Sequence, residues 1–203
     1  MANKIRNIAP PNLPVAPVEY ERRYQDQFAN VLRLFFNLIA NAINAPKPHA
    51  SFYDTTTQTN PVPGAVNYMR VNSIYADSVM GIRKDTDKIF ISETGLYNIQ
   101  FSAQLDKTGG GASDVFIWLM INGVNVANSA TKVVIDGPNN EIVPAWNFVV
   151  PLADGDYFQL AWQSSDPDVV IAAAPASGNI PEIPSLILTV TWVSNENVRD
   201  GTI

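Results

Sequence analysis

The chain contains no cysteine. That excludes disulfide scaffolds, thiolate metal sites and cysteine nucleophiles. It has one histidine, His49, in "APKPHAS". A catalytic triad or a histidine-bearing metal site needs more company than this stretch supplies, so His49 reads as a solvated residue linking two regions. Charge is also scarce. Only 16% of the 203 residues are charged, against 46% hydrophobic, where about a quarter charged is usual. So little charge suggests a chain that buries extra area against copies of itself. What charge there is sums to −6 with a pI near 4.6, which speaks against a basic face that grips nucleic acid. Long apolar runs are missing too. "VLRLFFNLIANAI" spans 13 residues and includes Arg33, too short and too polar to be inserted across a bilayer. "MANKIRNIAPPNL" has basic residues but no apolar segment behind them. The expectation is synthesis in a cytoplasm without a secretory signal.

Chemistry-bearing constellations are equally thin. Asp85 and Asp87, Asp154 and Asp156, and Asp166 and Asp168 fall in loops at one-residue spacing. Loop carboxylates can hold Ca²⁺, but no pair sits in an EF-hand pattern, and they read as turn residues. "TGGGAS", Thr108 to Ser113, lacks the Gly-Lys-Ser/Thr of a phosphate loop and joins two strands; it reads as a hairpin loop. Trp118, Trp146, Trp162 and Trp192 all fall in predicted strands. Core or subunit interface is their reading, with sugar stacking as the alternative. No catalytic, cofactor or metal residue is assigned, and an interaction protein rather than an enzyme is expected.

Three zones follow one another. Residues 1–17 form an extended, proline-rich leader, in which "IAPPNLPVAPVEY" holds four prolines between residues 8 and 20. Proline fixes φ and lacks an N–H, so this stretch cannot join a helix interior or a central strand. It is either a disordered tail or a docking peptide; in the second case Ile8, Pro10, Pro11, Leu13, Pro14, Val15 and Pro17 carry the anchoring. Residues 18–45 read as one helix. Tyr24, Phe28, Val31, Phe35, Leu38 and Ala42 recur at spacings of 4, 3, 4, 3 and 4, a coiled-coil seam that Leu32 and Ile39 widen. Aromatics in the seam suit a bundle of three. The alternative is a helix packed on its own β-domain.

Residues 50–193 read as all-β, and 194–203 as a polar tail. "GLYNIQFSAQL" alternates, with Tyr97, Ile99, Phe101, Ala103 and Leu105 on one side, as a half-buried antiparallel strand should. "DVFIWLMING" is apolar on both faces and ends in an Asn-Gly turn. "DYFQLAWQSS" sets Tyr157 out of phase with Phe158, Leu160 and Trp162. "PSLILTVTWV" puts Leu186, Leu188, Val190 and Trp192 in one phase. With the runs before and between, ten or eleven short strands are expected. Proline and glycine punctuate them, which fits a β-sandwich, best a jelly roll.

In "ETGLYNIQFSAQL", "VFIWLMINGVNV", "LADGDYFQLAW" and "IPSLILTVTWV", the β-region resembles the C1q/TNF-like family of trimeric jelly rolls. The opening "FYDTTTQTNPVPGAVNYMRVN" followed by Gly81 and Ile82, with the preceding "EYERRYQDQFANVLRLFFNLIANAI", is similar to the variant found in virion proteins of marine and cyanobacterial tailed phages. The resemblance covers residues 18–193. It implies an all-β C1q/TNF-like jelly-roll sandwich behind an extended leader and one N-terminal helix, a homotrimer packed through apolar faces, and a helix that trimerises beneath the heads. It further implies a virion location, with residues 1–17 docked on other virion proteins and the loops "DKTGGGAS" and "SSDPDVV" facing host or environmental glycans. The alternatives are a soluble bacterial trimeric lectin or adhesin and, more remotely, a depolymerase on the same scaffold. Secreted animal members carry a signal peptide and often a collagen-like stalk. The departure from both speaks against a cytokine-like role.

Overall fold

The computed structural model describes residues 10–15, 18–44 and 46–195. Ile8, Pro17 and the polar tail from residue 196 onward lie outside them. The chain divides into two units, Met1–Pro46 and Lys47–Ile203.

In the first unit, helix α1 runs Arg22–Asn44. It contains no glycine or proline, and Pro46 and Pro48 follow it. It begins later than the expected residue 18, with Gln25 N–H donating to the Glu21 carbonyl at 3.3 Å as its first bond. Its ends are electrostatically unassisted, with no acidic residue in the first turn and no basic residue in the last. The Arg22–Asp26 pair is long, at 3.9 Å, and exposed, so it adds little. Stability must therefore come from the apolar stripe. Tyr24, Phe28, Val31, Phe35, Ile39 and Ala42 are half-buried along one side, with Leu32 beside them. Leu38, expected in the seam, is exposed, and Ile39 takes its place. A straight helix drifts away from a strict seven-residue repeat, and the stripe follows the drift.

The second unit is a sandwich of two antiparallel sheets with a small third sheet. Its strands are β1 His49–Asp54, β2 Asn67–Tyr68, β3 Ser73–Met80, β4 Ile82–Asp85, β5 Lys88–Ile91, β6 Gly95–Ala103, β7 Leu105–Lys107, β8 Ala112–Ile121, β9 Val124–Asn125, β10 Thr131–Asp136, β11 Asn140–Ile142, β12 Ala145–Leu152, β13 Tyr157–Ser164, β14 Val169–Ile171 and β15 Leu186–Ser194. One sheet has the order β12-β6-β15-β1-β3. The other runs β10-β8-β13-β5-β4, with β2 added to β13 and β9 to β8. A third sheet pairs β11, β7 and β14. The core lies between the two large sheets. Phe52, Tyr97, Ile99, Phe101, Leu188 and Val190 come from one side; Ile117, Leu119, Phe158, Leu160 and Trp162 come from the other.

Fifteen strands exceed the ten or eleven expected, because single runs are cut. Gly81, at φ 64°, separates β3 from β4. At Gln104 the chain changes sheets. Its N–H donates to Ser185 O and its carbonyl accepts from Ala172 N–H, so β6 belongs to the five-stranded sheet and β7 to the small one. Pro144 stands between β11 and β12. The Asn122-Gly123 turn holds both residues at positive φ, 51° and 78°, as a two-residue hairpin requires.

Candidate functional site

The two large sheets present very different outer faces. Register alone places the residues. On the five-stranded sheet, Asn147 pairs with Gln100 and Thr189 with the same Gln100; Ser51 pairs with Thr189 and Tyr53 with Ile187. Across β12, β6, β15 and β1 this outward set contains no Asp, Glu, Lys or Arg. It consists of amides, hydroxyls and apolar groups, with the lone histidine at its corner. Asn147 Nδ2 donates to Asn98 Oδ1 at 2.9 Å within it. On the seven-stranded sheet the outward set includes charged residues throughout: Arg83 over the Phe90 ring at 4.0 Å, Lys88 over Tyr157 at 4.9 Å, and Lys132 paired with Asp114 at 3.3 Å. Soluble surfaces are normally studded with charge. A broad β-face without any suits desolvation against another protein surface.

The loops after β7 and β13 are joined by an ion pair that the sequence did not betray. Lys107 closes β7 with its side chain fully buried, 0% exposed. Its Nζ donates to Gly111 O at 2.6 Å and Ser113 Oγ at 2.5 Å, and lies 2.8 Å from Asp166 Oδ2. Ser113 Oγ donates to the same carboxylate at 2.5 Å. The Asp168 N–H donates to Asp166 Oδ1 at 2.9 Å. The Lys107 hydrogen bond first, then those of Ser113 and Asp168, hold the Asp166 carboxyl down at about 2, against an ordinary 3.8. A Lys–Ser contact is how some hydrolases activate a nucleophile, but that needs a neutral amine. Here the ammonium is spent on a carboxylate and a carbonyl, and the serine proton lies on the carboxylate. The arrangement works as a clamp. It ties "DKTGGGAS" to "SSDPDVV", so two loops read separately from sequence form one surface.

The other residues singled out from sequence are placed as follows. His49 opens β1, exposed, with Nδ1 2.8 Å from Lys47 O. Among the acidic pairs, Asp87 accepts from Gln159 Nε2 at 2.5 Å, and Asp156 accepts from Asn122 Nδ2 and from Ala153 N–H. These are turn ties. Among the described residues, no group of three or more acidic, histidine or cysteine side chains could hold a metal. Trp162 is in the core, with Trp146 and Trp192 half-buried against it. Trp118 lies on the other side of β8, packed with Met120 and Ala161, its Nε1 donating to Asn125 at 2.8 Å. In the leader, the Pro14 carbonyl accepts from the Tyr24 hydroxyl at 3.4 Å, while Pro10, Leu13 and Val15 are exposed and Pro11 is half-buried. No helix among the described residues is long and apolar enough to cross a membrane.

No protein-family model matches the chain, and no curated protein does. Solved structures do. The Eiger TNF from S. frugiperda superposes with a TM-score of 0.50 over 78% of this chain and 100% of that one, at 9% sequence identity. At that identity the likeness defines the fold alone: a TNF-like jelly roll, as the four quoted strand motifs led one to expect.

Proposed function

We propose that the chain is a structural protein of a phage virion: a homotrimer anchored to the particle by its first 17 residues and displaying the jelly roll outward, for adhesion to host or environmental glycans. The observation that carries the trimer is the charge-free outward set of β12, β6, β15 and β1 in the five-stranded sheet. A solvated face of that breadth without one carboxylate or ammonium calls for a partner, and a second copy of the chain, packing a different part of its surface there as a closed ring of three requires, is the economical one. The stripe on α1 adds to it, since Tyr24, Phe28, Val31, Phe35 and Ile39 are only half-buried, and a helix without charge assistance at its ends gains from association. The anchoring role rests on the leader. A proline-rich segment has already lost conformational freedom, so it lies in a groove at reduced entropic cost. Three copies on one trimer multiply the effect by holding the others near once one has docked. The phage assignment rests on the resemblance of residues 18–193, and display on the clamped pair of polar loops.

Immunogold electron microscopy of intact particles from the source, with antibody to the jelly roll, tests the reading. Label on particles supports it, and its position separates head decoration from tail fibre. Unlabelled particles in a preparation whose soluble fraction contains the protein would contradict it and favour the free lectin. Deleting residues 1–17 should leave folded trimers that no longer join particles.

A further inference from the structure

Between β14 and β15 the chain leaves the body as a hairpin. Every residue from 174 to 183 is exposed, yet the segment is built to hold its shape. Ala174 and Ile183 exchange N–H···O bonds at 2.9 Å, and Ser177 and Ile180 exchange bonds at 3.0 Å. Gly178, at φ 60°, supplies the left-handed residue of the turn between them. Pro175 and Pro181 stiffen the two limbs. The root is tied down as well. Ala172 N–H donates to Gln104 O at 2.7 Å, Ala173 N–H to Thr57 Oγ1 at 3.1 Å, and Ser185 N–H to Asp54 O at 2.8 Å. Ordering a projection this exposed costs conformational entropy with little burial to offset it. A surface that receives the hairpin would supply the burial.

Its composition narrows the choice of surface. From residue 172 to 184 the only charge is Glu182. Ile180 is 62% exposed and Ile183 41%. The turn itself, Ser177-Gly178-Asn179, is polar, so driving the tip into lipid would desolvate it at a cost. Apolar limbs with a polar tip suit a hairpin lying along protein. Charge depletion also marks the outward set of β12, β6, β15 and β1. The hairpin runs into that set through β15, where Ile187 is paired with Tyr53 on one side and Ser102 on the other. A closed ring of three needs two unlike patches, because each copy packs a different part of its surface on the next. The hairpin is one apolar patch, rooted beside β15 and the end of β1. The edge strand β12, at the other side of the set, carries a second: Val143, just before it, is 51% exposed and Val149 within it 53%.

We infer that residues 174–183 form an arm that each copy lays on the next, with Ile180 and Ile183 against the neighbour's Val143 and Val149. The inference rests on the homotrimer reading above and names a contact that closes the ring. The chain has no cysteine, so Ile180→Cys introduces a single thiol that takes a benzophenone maleimide at one place. Irradiation of this full chain at micromolar concentration should give covalent dimers and trimers on a denaturing gel. Mass spectrometry should map the link to residues 142–152 of the second copy. Val124→Cys, a site 68% exposed on β9, should give no such links. Ile180→Glu should keep the wild-type circular dichroism and raise the trimer dissociation constant at least about tenfold, as burying an unpaired carboxylate predicts. A wild-type chain that is monomeric by light scattering would overturn the trimer and the arm together. A trimer whose probe at position 180 links no second chain, links it outside residues 142–152, or labels phosphatidylcholine vesicles instead would overturn the arm alone. So would Ile180→Glu trimers as tight as wild type.

Discussion

Breaking the Lys107–Asp166 clamp from its two ends should cost different amounts. The Lys107 side chain is 0% exposed, while that of Asp166 is 21% exposed. Asp166→Ala strands an ammonium in the interior with only Gly111 O and Ser113 Oγ for company. Removing one partner of a buried pair in this way costs about 3–5 kcal/mol. Lys107→Met leaves the carboxylate instead, and water can reach it. The methionine stem also refills the apolar volume, so the cost should be about 1–3 kcal/mol. The double variant should be more stable than Asp166→Ala alone, because it removes the stranded charge. Urea unfolding at pH 7 measures all three, at one fixed protein concentration because association shifts the midpoint. If Asp166→Ala costs no more than Lys107→Met, or if both stay within about 0.5 kcal/mol of wild type, the clamp does not hold the loops as argued.

The same pair fixes a pH dependence. A carboxylate held down at about 2 contributes stability that is complete above its ordinary 3.8 and is lost as pH falls from there toward 2. Acid titration of unfolding should show a loss of about 1–2 kcal/mol over that window, discounted for the carboxylate's partial exposure, and Lys107→Met should abolish most of it. Gly95→Ala should destabilise by about 1–3 kcal/mol, read as a lower thermal midpoint, because a Cβ there would stand 2.7 Å from Trp192 Cδ1 and 2.9 Å from the Ser194 carbonyl. Gln100→Glu puts a carboxylate in the middle of the charge-free face. It should leave the monomer fold intact by circular dichroism but, if the face is the trimer contact, raise the dissociation constant at least about tenfold by gel filtration, since burying an unpaired carboxylate in an interface costs several kcal/mol.

Much of the jelly roll could be read from the alternation of single strands. Tyr97, Ile99, Phe101, Ala103 and Leu105 were placed inward by pattern alone, and all five are buried. Of the four placed in one phase on the last strand, Leu186, Leu188 and Val190 are buried and Trp192 is half-buried. Such runs are legible because the pleat makes burial a local property of the sequence. The breaks were less legible. That Gln104 changes sheets depends on Ser185 and Ala172, far along the chain, and nothing in "SAQLDK" signals it. Leu38 went wrong by one position because a seven-residue template was laid on a helix with a 3.6-residue turn. The candidate site was the least legible part. Lys107 looked like a loop charge beside "TGGGAS"; its burial follows from Asp166, which the topology brings over from the loop after β13. Asn67 and Trp162 are likewise brought together by the pairing of β2 with β13, a ladder of two residues too short to carry a pattern. The charge-free face, by contrast, was there to be read: it is the polar half of the alternating strands, and its lack of Asp, Glu, Lys and Arg required only that the four outward sets be compared.

Light scattering on the purified full chain tests the central claim most directly. The monomer mass is 22.2 kDa. Packing through the charge-free sheet face and the α1 stripe predicts about three times that mass, falling back toward the monomer in Gln100→Glu. A monomeric mass for the wild-type chain at micromolar concentration would contradict the account.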